Sequence, residues 1–285
     1  MSPTLVRQHL SPTGPASRVD RSARARDWSE IQERMLVPLY EAVYERLEVG
    51  PRTRLLGLGC GSGLALLMAA SRGAAVTGVE PAAPERLALA RQRLLPDPPG
   101  GQVRGDTRLV DGSPEDAADA TTPAYSLVTA FEPIGCLAGD SAGLGALLAA
   151  ATPLAAHGAP VVLVGWGPPE RCATSAVLRV ARKPTDPPRG DVSWRPALRD
   201  DLEEVAQRAG LTLDGSGRVA CPFGYADVTS AVRGLLSTGL FDAAIAATDS
   251  AQVDKELTEA LHPYRRRDRT VWMPNVFRYL IARVP

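Results

Sequence analysis

Lysine is almost missing from this 285-residue chain: only Lys183 and Lys255 occur, and arginine supplies every other basic side chain. An excess of one charge sign is missing too. Thirty-two basic residues balance 32 acidic ones, which argues against the strong basic bias of a dedicated nucleic-acid binder. Cysteine is scarce: Cys60, Cys136, Cys172 and Cys221 form no C-x-x-C pair. Neither a disulfide framework nor a zinc site is expected, and reduced thiols of a cytoplasmic protein are the plain reading. Histidine is limited to His9, His157 and His262. No stretch approaches the ~18 apolar residues of a membrane span, and residues 1–20 contain no apolar core of signal-peptide type. A soluble protein with no membrane or nucleic-acid partner is expected.

What is present is enough for a large globular domain. Hydrophobic residues make up 45% and charged residues 22%, so a full core can be buried without metal or disulfide staples. Heavy alanine, glycine and proline usage beside the arginine bias suggests a GC-rich bacterial gene. Residues 1–21 are Ser/Pro/Thr-rich without periodicity and read as a disordered tail. Residues 22–47 carry Trp28, Ile31, Met35, Leu39, Val43 and Leu47 at helical spacing, with Pro38 predicting a kink or a split. Gly50-Pro51 ends this segment.

Alternating strands and helices follow. Strands are predicted over 53–58, 75–80, 107–110, 126–131 and 160–166, with helices over 62–72, 84–95 and 144–156. This order implies a doubly wound α/β sheet with parallel strands and right-handed crossovers. Residues 168–196 are proline-rich and predicted as loop, 197–210 as an amphipathic helix, and 211–223 and 271–283 as two late strands. Between those strands lies a mostly helical insert at about 225–267, long enough to serve as a lid or pocket wall. The domain reading is a tail (1–21), an N-terminal helical cover (22–50) and a main domain (51–285) with the insert as substrate cap.

The sharpest chemical signal is Gly57-Leu58-Gly59-Cys60-Gly61-Ser62-Gly63, between a predicted strand and a predicted helix. Glycines there permit a tight turn and close backbone approach to a ligand. The helix start behind them offers unpaired N–H groups and the positive dipole end. Glu80 closes the next strand, where a carboxylate can accept hydrogen bonds from ribose hydroxyls. The spacing is G-x-G-x-G. It is neither the G-x-G-x-x-G of dinucleotide folds nor a P-loop, and the region has no lysine.

Gly59-Cys60-Gly61-Ser62-Gly63 resembles motif I of class I S-adenosylmethionine (SAM)-dependent methyltransferases, and Val79-Glu80-Pro81 resembles their motif II. Residues 111–116 are similar to the loop beside the adenine, 126–131 to motif IV, and 164–171 to the end of strand five in a bacterial small-molecule branch. The resemblance runs from about Ala23 onward. It implies a seven-stranded, mostly parallel sheet with an antiparallel last strand, and SAM as cofactor. It places cofactor contacts at Gly59, Cys60, Gly61, Gly63, Glu80, Pro81, Ser113, Pro114, Glu115 and Phe131. Many members carry an acidic residue two positions before the first motif I glycine, where it helps hold the methionine ammonium. Here that residue is Gly57. One lost charge-assisted contact costs about 1.5–3 kcal/mol, roughly one to two decades of affinity. Glu132 is the acidic group expected to compensate, and Gly57→Asp is expected to tighten SAM binding.

Methyl transfer from a sulfonium mainly requires alignment, because the electrophile is already activated. Glu132 and His262 are the catalytic candidates. Trp28, Tyr40, Trp166 and Tyr225 are the substrate-binding candidates, each also readable as a core aromatic. The run 265–269 is basic and reads equally as a solvated face. The leading expectation is methyl transfer to a small molecule in bacterial specialised-metabolite (antibiotic-type) biosynthesis, by a monomer or homodimer. The alternative is a non-methylating enzyme on the same scaffold, such as a cyclase, with SAM structural or lost.

Overall fold

Five short apolar runs, each followed by glycine or an acidic residue, pair into one sheet. The computed structural model describes residues 20–95, 106–118, 124–136, 139–181, 198 and 200–285. Most of the predicted tail, residues 96–105, much of the proline-rich stretch and the start of the 197–210 helix lie outside those residues. In chain order the elements are α1 (Arg21–Asp27), α2 (Val37–Arg46), β1 (Arg54–Leu58), α3 (Leu64–Ser71), β2 (Ala75–Val79), α4 (Pro84–Leu94), β3 (Thr107–Val110), β4 (Leu127–Ile134), α5 (Asp140–Ala151) and β5 (Pro160–Trp166). Then come α6 (Thr174–Val177), α7 (Asp201–Arg208), β6 (Thr212–Ala220), β7 (Phe223–Tyr225), α8 (Val228–Ser237), α9 (Asp242–Ala247), α10 (Ser250–Leu261), β8 (Val271–Met273) and β9 (Val276–Arg283). Residues 169–181, expected as loop, hold α6 flanked by two 3-10 turns.

The main sheet has the order β3-β2-β1-β4-β5-β9-β6. β1 to β5 pair in parallel, and β9 runs antiparallel to both β5 and β6. The strand order reverses between β1 and β4, and ligands of open α/β sheets bind at the carboxyl edge of such a switch point. α2, α3, α8 and α10 contribute to the buried cluster on one face of the sheet, and α5 and α7 to that on the other. Among the described residues no helix is long and apolar enough to cross a membrane.

Each of the two late strands is interrupted by a proline. Pro222 separates β6 from β7, and Pro274 separates β8 from β9, because proline has no N–H for a ladder bond. β7 and β8 leave the main sheet as a two-stranded antiparallel ribbon, with Gly224 opposite Trp272. The predicted insert, α8 to α10, stands on this ribbon. Asp227 and Asp249 cap α8 and α10 by accepting from Ser230 N at 2.7 Å and Gln252 N at 2.8 Å.

The N-terminal segment differs from the regular amphipathic helix expected. Residues 28–32 form a π-helical turn and 33–36 a 3-10 turn before Pro38 opens α2. The extra residue in the π turn rotates the face. Leu39 and Val43 are buried as predicted, but over 28–36 the buried set is Ser29, Gln32, Glu33 and Leu36. Trp28, Ile31 and Met35 are only half-buried.

β5 and β9 must lie close where the sheet ends. A Cβ at Gly167 would overlap the Val276 carbonyl, while Gly167 N donates to that same oxygen at 2.8 Å. Gly167→Ala is therefore expected to destabilise the fold by about 1–3 kcal/mol, read as a lower denaturant midpoint with an unchanged slope.

Candidate active site

The glycine spacing is explained by backbone geometry. Gly59, Gly61 and Gly63 have φ of +61°, +56° and +80°, the left-handed region that costs other residues strain. Three left-handed residues alternating with two ordinary ones turn the chain from β1 into α3. Cys60 N donates to Val79 O at 3.0 Å and ties the turn to β2. A Cβ at Gly63 would stand 3.0 Å from Ala90 Cβ and Leu94 Cδ1, so this glycine also admits α4.

Two buried carboxylates hold the turn. Glu80 is 4% exposed and accepts from Gly61 N at 2.9 Å and Ala82 N at 3.3 Å. Burial raises its pKa above the ordinary 4.5, and Glu132 adds to the rise against the hydrogen bond from Gly61. Glu33, from the N-terminal segment, is 3% exposed. It accepts from Ser62 N at 3.2 Å, Leu64 N at 3.4 Å and the Ser62 hydroxyl, and it pairs with Arg93 at 2.9 Å. Arg93 also donates to Ser62 O at 2.7 Å and Ser29 Oγ at 2.8 Å. Sequence reasoning passed over Glu33, Ser29 and Arg93, because a charged residue on a helix reads as a solvated face.

Over the turn lies a narrow cavity of about 30 Å³. Trp28, Glu33, Tyr40, Cys60, Arg86 and Phe131 are among its walls. Trp28 Nε1 is buried there without an acceptor among the described residues, and Arg86 stacks on the same indole at 4.1 Å from the ring centre. A second cavity of about 550 Å³ opens beside it. Pro81, Ser113, Pro114 and Glu115 line one side, and Leu144 and Leu147 of α5 line another. Ser113 begins a 3-10 turn, and its N–H donates to Asp116 Oδ2 at 2.8 Å.

Glu132 borders both cavities. A bulge aims it there: β4 advances from Ala130 to Ile134 while β5 advances only from Leu163 to Gly165. The extra residues turn Glu132 out of the ladder, and a Cβ at Gly59 would stand 3.5 Å from its Oε2.

The other candidates divide between the site and the rest of the molecule. His262 is exposed at the end of α10 and lines neither cavity. Tyr225 is buried in the core, its hydroxyl donating to Gln32 Oε1 at 3.0 Å. Trp166 packs on Phe277 with ring centres 4.6 Å apart. Tyr40 packs on Phe131 at 4.8 Å, and both border the narrow cavity. Burial raises the Tyr40 hydroxyl pKa well above its ordinary value and pushes the Cys60 thiol up to about 12, so both stay protonated near neutral pH. Gly57 also looks different in three dimensions. A Cβ there would meet Leu66 Cδ2 at 2.9 Å, so Gly57→Asp would disturb Leu66 of the core, and tighter ligand binding no longer follows from it.

No family model matches the sequence, and no curated protein matches it. Solved structures do. A Bacillus halodurans protein assigned as a methyltransferase is 16% identical, with 86% of this chain and 98% of that one covered and a TM-score of 0.52. The fold is the class I methyltransferase fold. The YjhP protein of E. coli is 19% identical, with 92% and 99% covered and a TM-score of 0.52. A SAM-dependent methyltransferase of Geobacter sulfurreducens, solved with S-adenosylhomocysteine (SAH), is 17% identical, with 89% and 92% covered and a TM-score of 0.48. At these identities the likeness establishes architecture, and the site's chemistry rests on this chain's own residues.

Glu80 gives a pH-dependent test. With a raised pKa, the native state binds more protons than the unfolded chain above pH 4.5, so its contribution to stability falls as pH climbs through the raised value. Glu80→Gln lacks that loss. Denaturant midpoints near pH 4.5 and about pH 7.5 should therefore shift in the variant's favour, relative to wild type, at the higher pH.

Proposed function

We propose that this chain is a SAM-dependent methyltransferase acting on a small molecule. The single observation carrying this reading is the triple left-handed glycine turn at the switch point, with the Glu80 carboxylate closing the neighbouring strand. The residues present fit the cofactor. Gly59 leaves room for close approach, Trp28 Nε1 is a buried donor beside Gly61 with no acceptor among the described residues, and Glu80 is a buried acceptor for ribose hydroxyls. Pro81 and the 113–115 turn face α5 across the cavity of about 550 Å³, and we place the purine there. The activated methyl group would come from SAM.

This chain's residues then have three tasks. The glycine turn and Glu80 orient. The N-terminal cover, residues 22–50, and the helical cap, residues 225–267, exclude water, tied to each other by Arg24–Asp242 at 2.9 Å and by Asp27–Arg233. Glu132, at the seam of the two cavities, is placed to hold an ammonium group or to take a proton from an acceptor hydroxyl. We place the chain in bacterial specialised-metabolite synthesis in the cytoplasm, as a monomer or homodimer.

A second reading keeps the pocket and drops the transfer. Gly57 in place of the usual acid, with Leu66 beside it, favours a scaffold used for rearrangement or cyclisation, since fold does not fix function.

Calorimetry with SAM and SAH is the first test: micromolar binding of both is the expected result, and no binding at millimolar ligand refutes the methyltransferase reading. Product mass then separates the two chemistries. A gain of one methylene identifies transfer, and an unchanged mass identifies rearrangement.

A further inference from the structure

The N–H groups that open α3 already hold a carboxylate, and it belongs to the chain itself. Glu33 reaches across from the N-terminal segment, accepts from Ser62 N, Leu64 N and the Ser62 hydroxyl, and is paired by Arg93 at 2.9 Å. Four donors saturate the two carboxylate oxygens. Its Oε1 stands 3.2 Å from where a Cβ of Gly61 would be, so the side chain fills the space that this glycine opens. With Glu33 in place, only a narrow cavity of about 30 Å³ remains above the turn. The backbone is irregular at the same place: Glu33 sits where the π turn passes into the 3-10 turn, and such departures in a helix mark hinges and functional sites.

Resting on the cofactor reading above, we propose that Glu33 is an internal stand-in for the carboxylate at the amino-acid end of the cofactor, and that residues 28–36 form a competitive latch over the glycine turn. Cofactor entry displaces Glu33 and leaves Ser62 N, Leu64 N and Arg93 to receive the incoming carboxylate. A tethered competitor acts at high effective concentration, and affinity falls by the fraction of molecules in which the latch is open. The latch therefore sets the cofactor level at which the enzyme loads. Segment 28–36 stays anchored at the far side, where Tyr225 donates to Gln32 at 3.0 Å, so release at the turn leaves the tie to the cap in place.

Hydrogen exchange on the full-length wild-type protein, with and without SAH, tests this without a variant. Exchange across 28–36 is expected to rise when SAH binds, the reverse of the protection a ligand normally confers. Unchanged or slower exchange there overturns the latch. Glu33→Gln, which keeps the shape and removes the charge, should bind SAM about tenfold tighter or more by calorimetry and exchange faster at 28–36 without ligand. Equal affinity in both proteins overturns the latch and leaves the cofactor reading standing. No binding by either protein overturns both.

Discussion

The molecule depends on one backbone constraint: three residues in left-handed conformation within five positions, at the point where the sheet reverses its strand order. Only glycine takes such a turn without strain, and each of the three admits a different neighbour. Gly59 faces Glu132, Gly61 faces Glu33 and Trp28, and Gly63 faces α4. The turn is thus a junction at which three separate parts of the chain meet backbone. Substituting any of these positions would push away one specific neighbour as well as straining the loop.

Around that junction the balance of charge is unusual for an interior. Glu33 and Glu80 are nearly inaccessible, and an isolated buried carboxylate costs several kcal/mol in lost hydration. The two are compensated differently. Glu33 has a guanidinium, a hydroxyl and two helix-start N–H groups, whereas Glu80 has two backbone N–H groups and a like-charged neighbour. Glu33 is the better satisfied, yet its partners depend on the N-terminal segment lying in place. Glu80 stands on the rigid end of a strand. One carboxylate belongs to the frame and the other to a part that can leave.

Much of this was legible in the residues. The glycine spacing, the acidic end of β2, the alternation of strand and helix and the late helical insert all have local causes, so local pattern revealed them. The proline breaks at 222 and 274 were also visible in principle, because proline cannot continue a ladder. The bulge that aims Glu132 was not, since it is set by register against β5, two strands from the glycine turn. The burial of Glu33 was not either. A π turn shifts a helical face by one residue, and nothing in the local spelling Ser-Glu-Ile-Gln-Glu announces it. The aromatic residues divide for a related reason. Tyr225 is buried in the core against Gln32, whereas Trp166 is half-buried and lines a separate cavity of about 890 Å³.

The placement of β9 has a consequence for how the chain is made. β9 is the last strand in sequence, yet it lies inside the sheet and bonds β5 on one side and β6 on the other. Until residues 276–283 have left the ribosome, both of those neighbours present open strand edges, and an unpaired edge is a template for pairing with another chain. Glu203 of α7 likewise awaits Arg278. Until β9 is in place, β6 is a lone strand beside a five-stranded parallel piece, and the strand that joins them is the last of the sheet to be made.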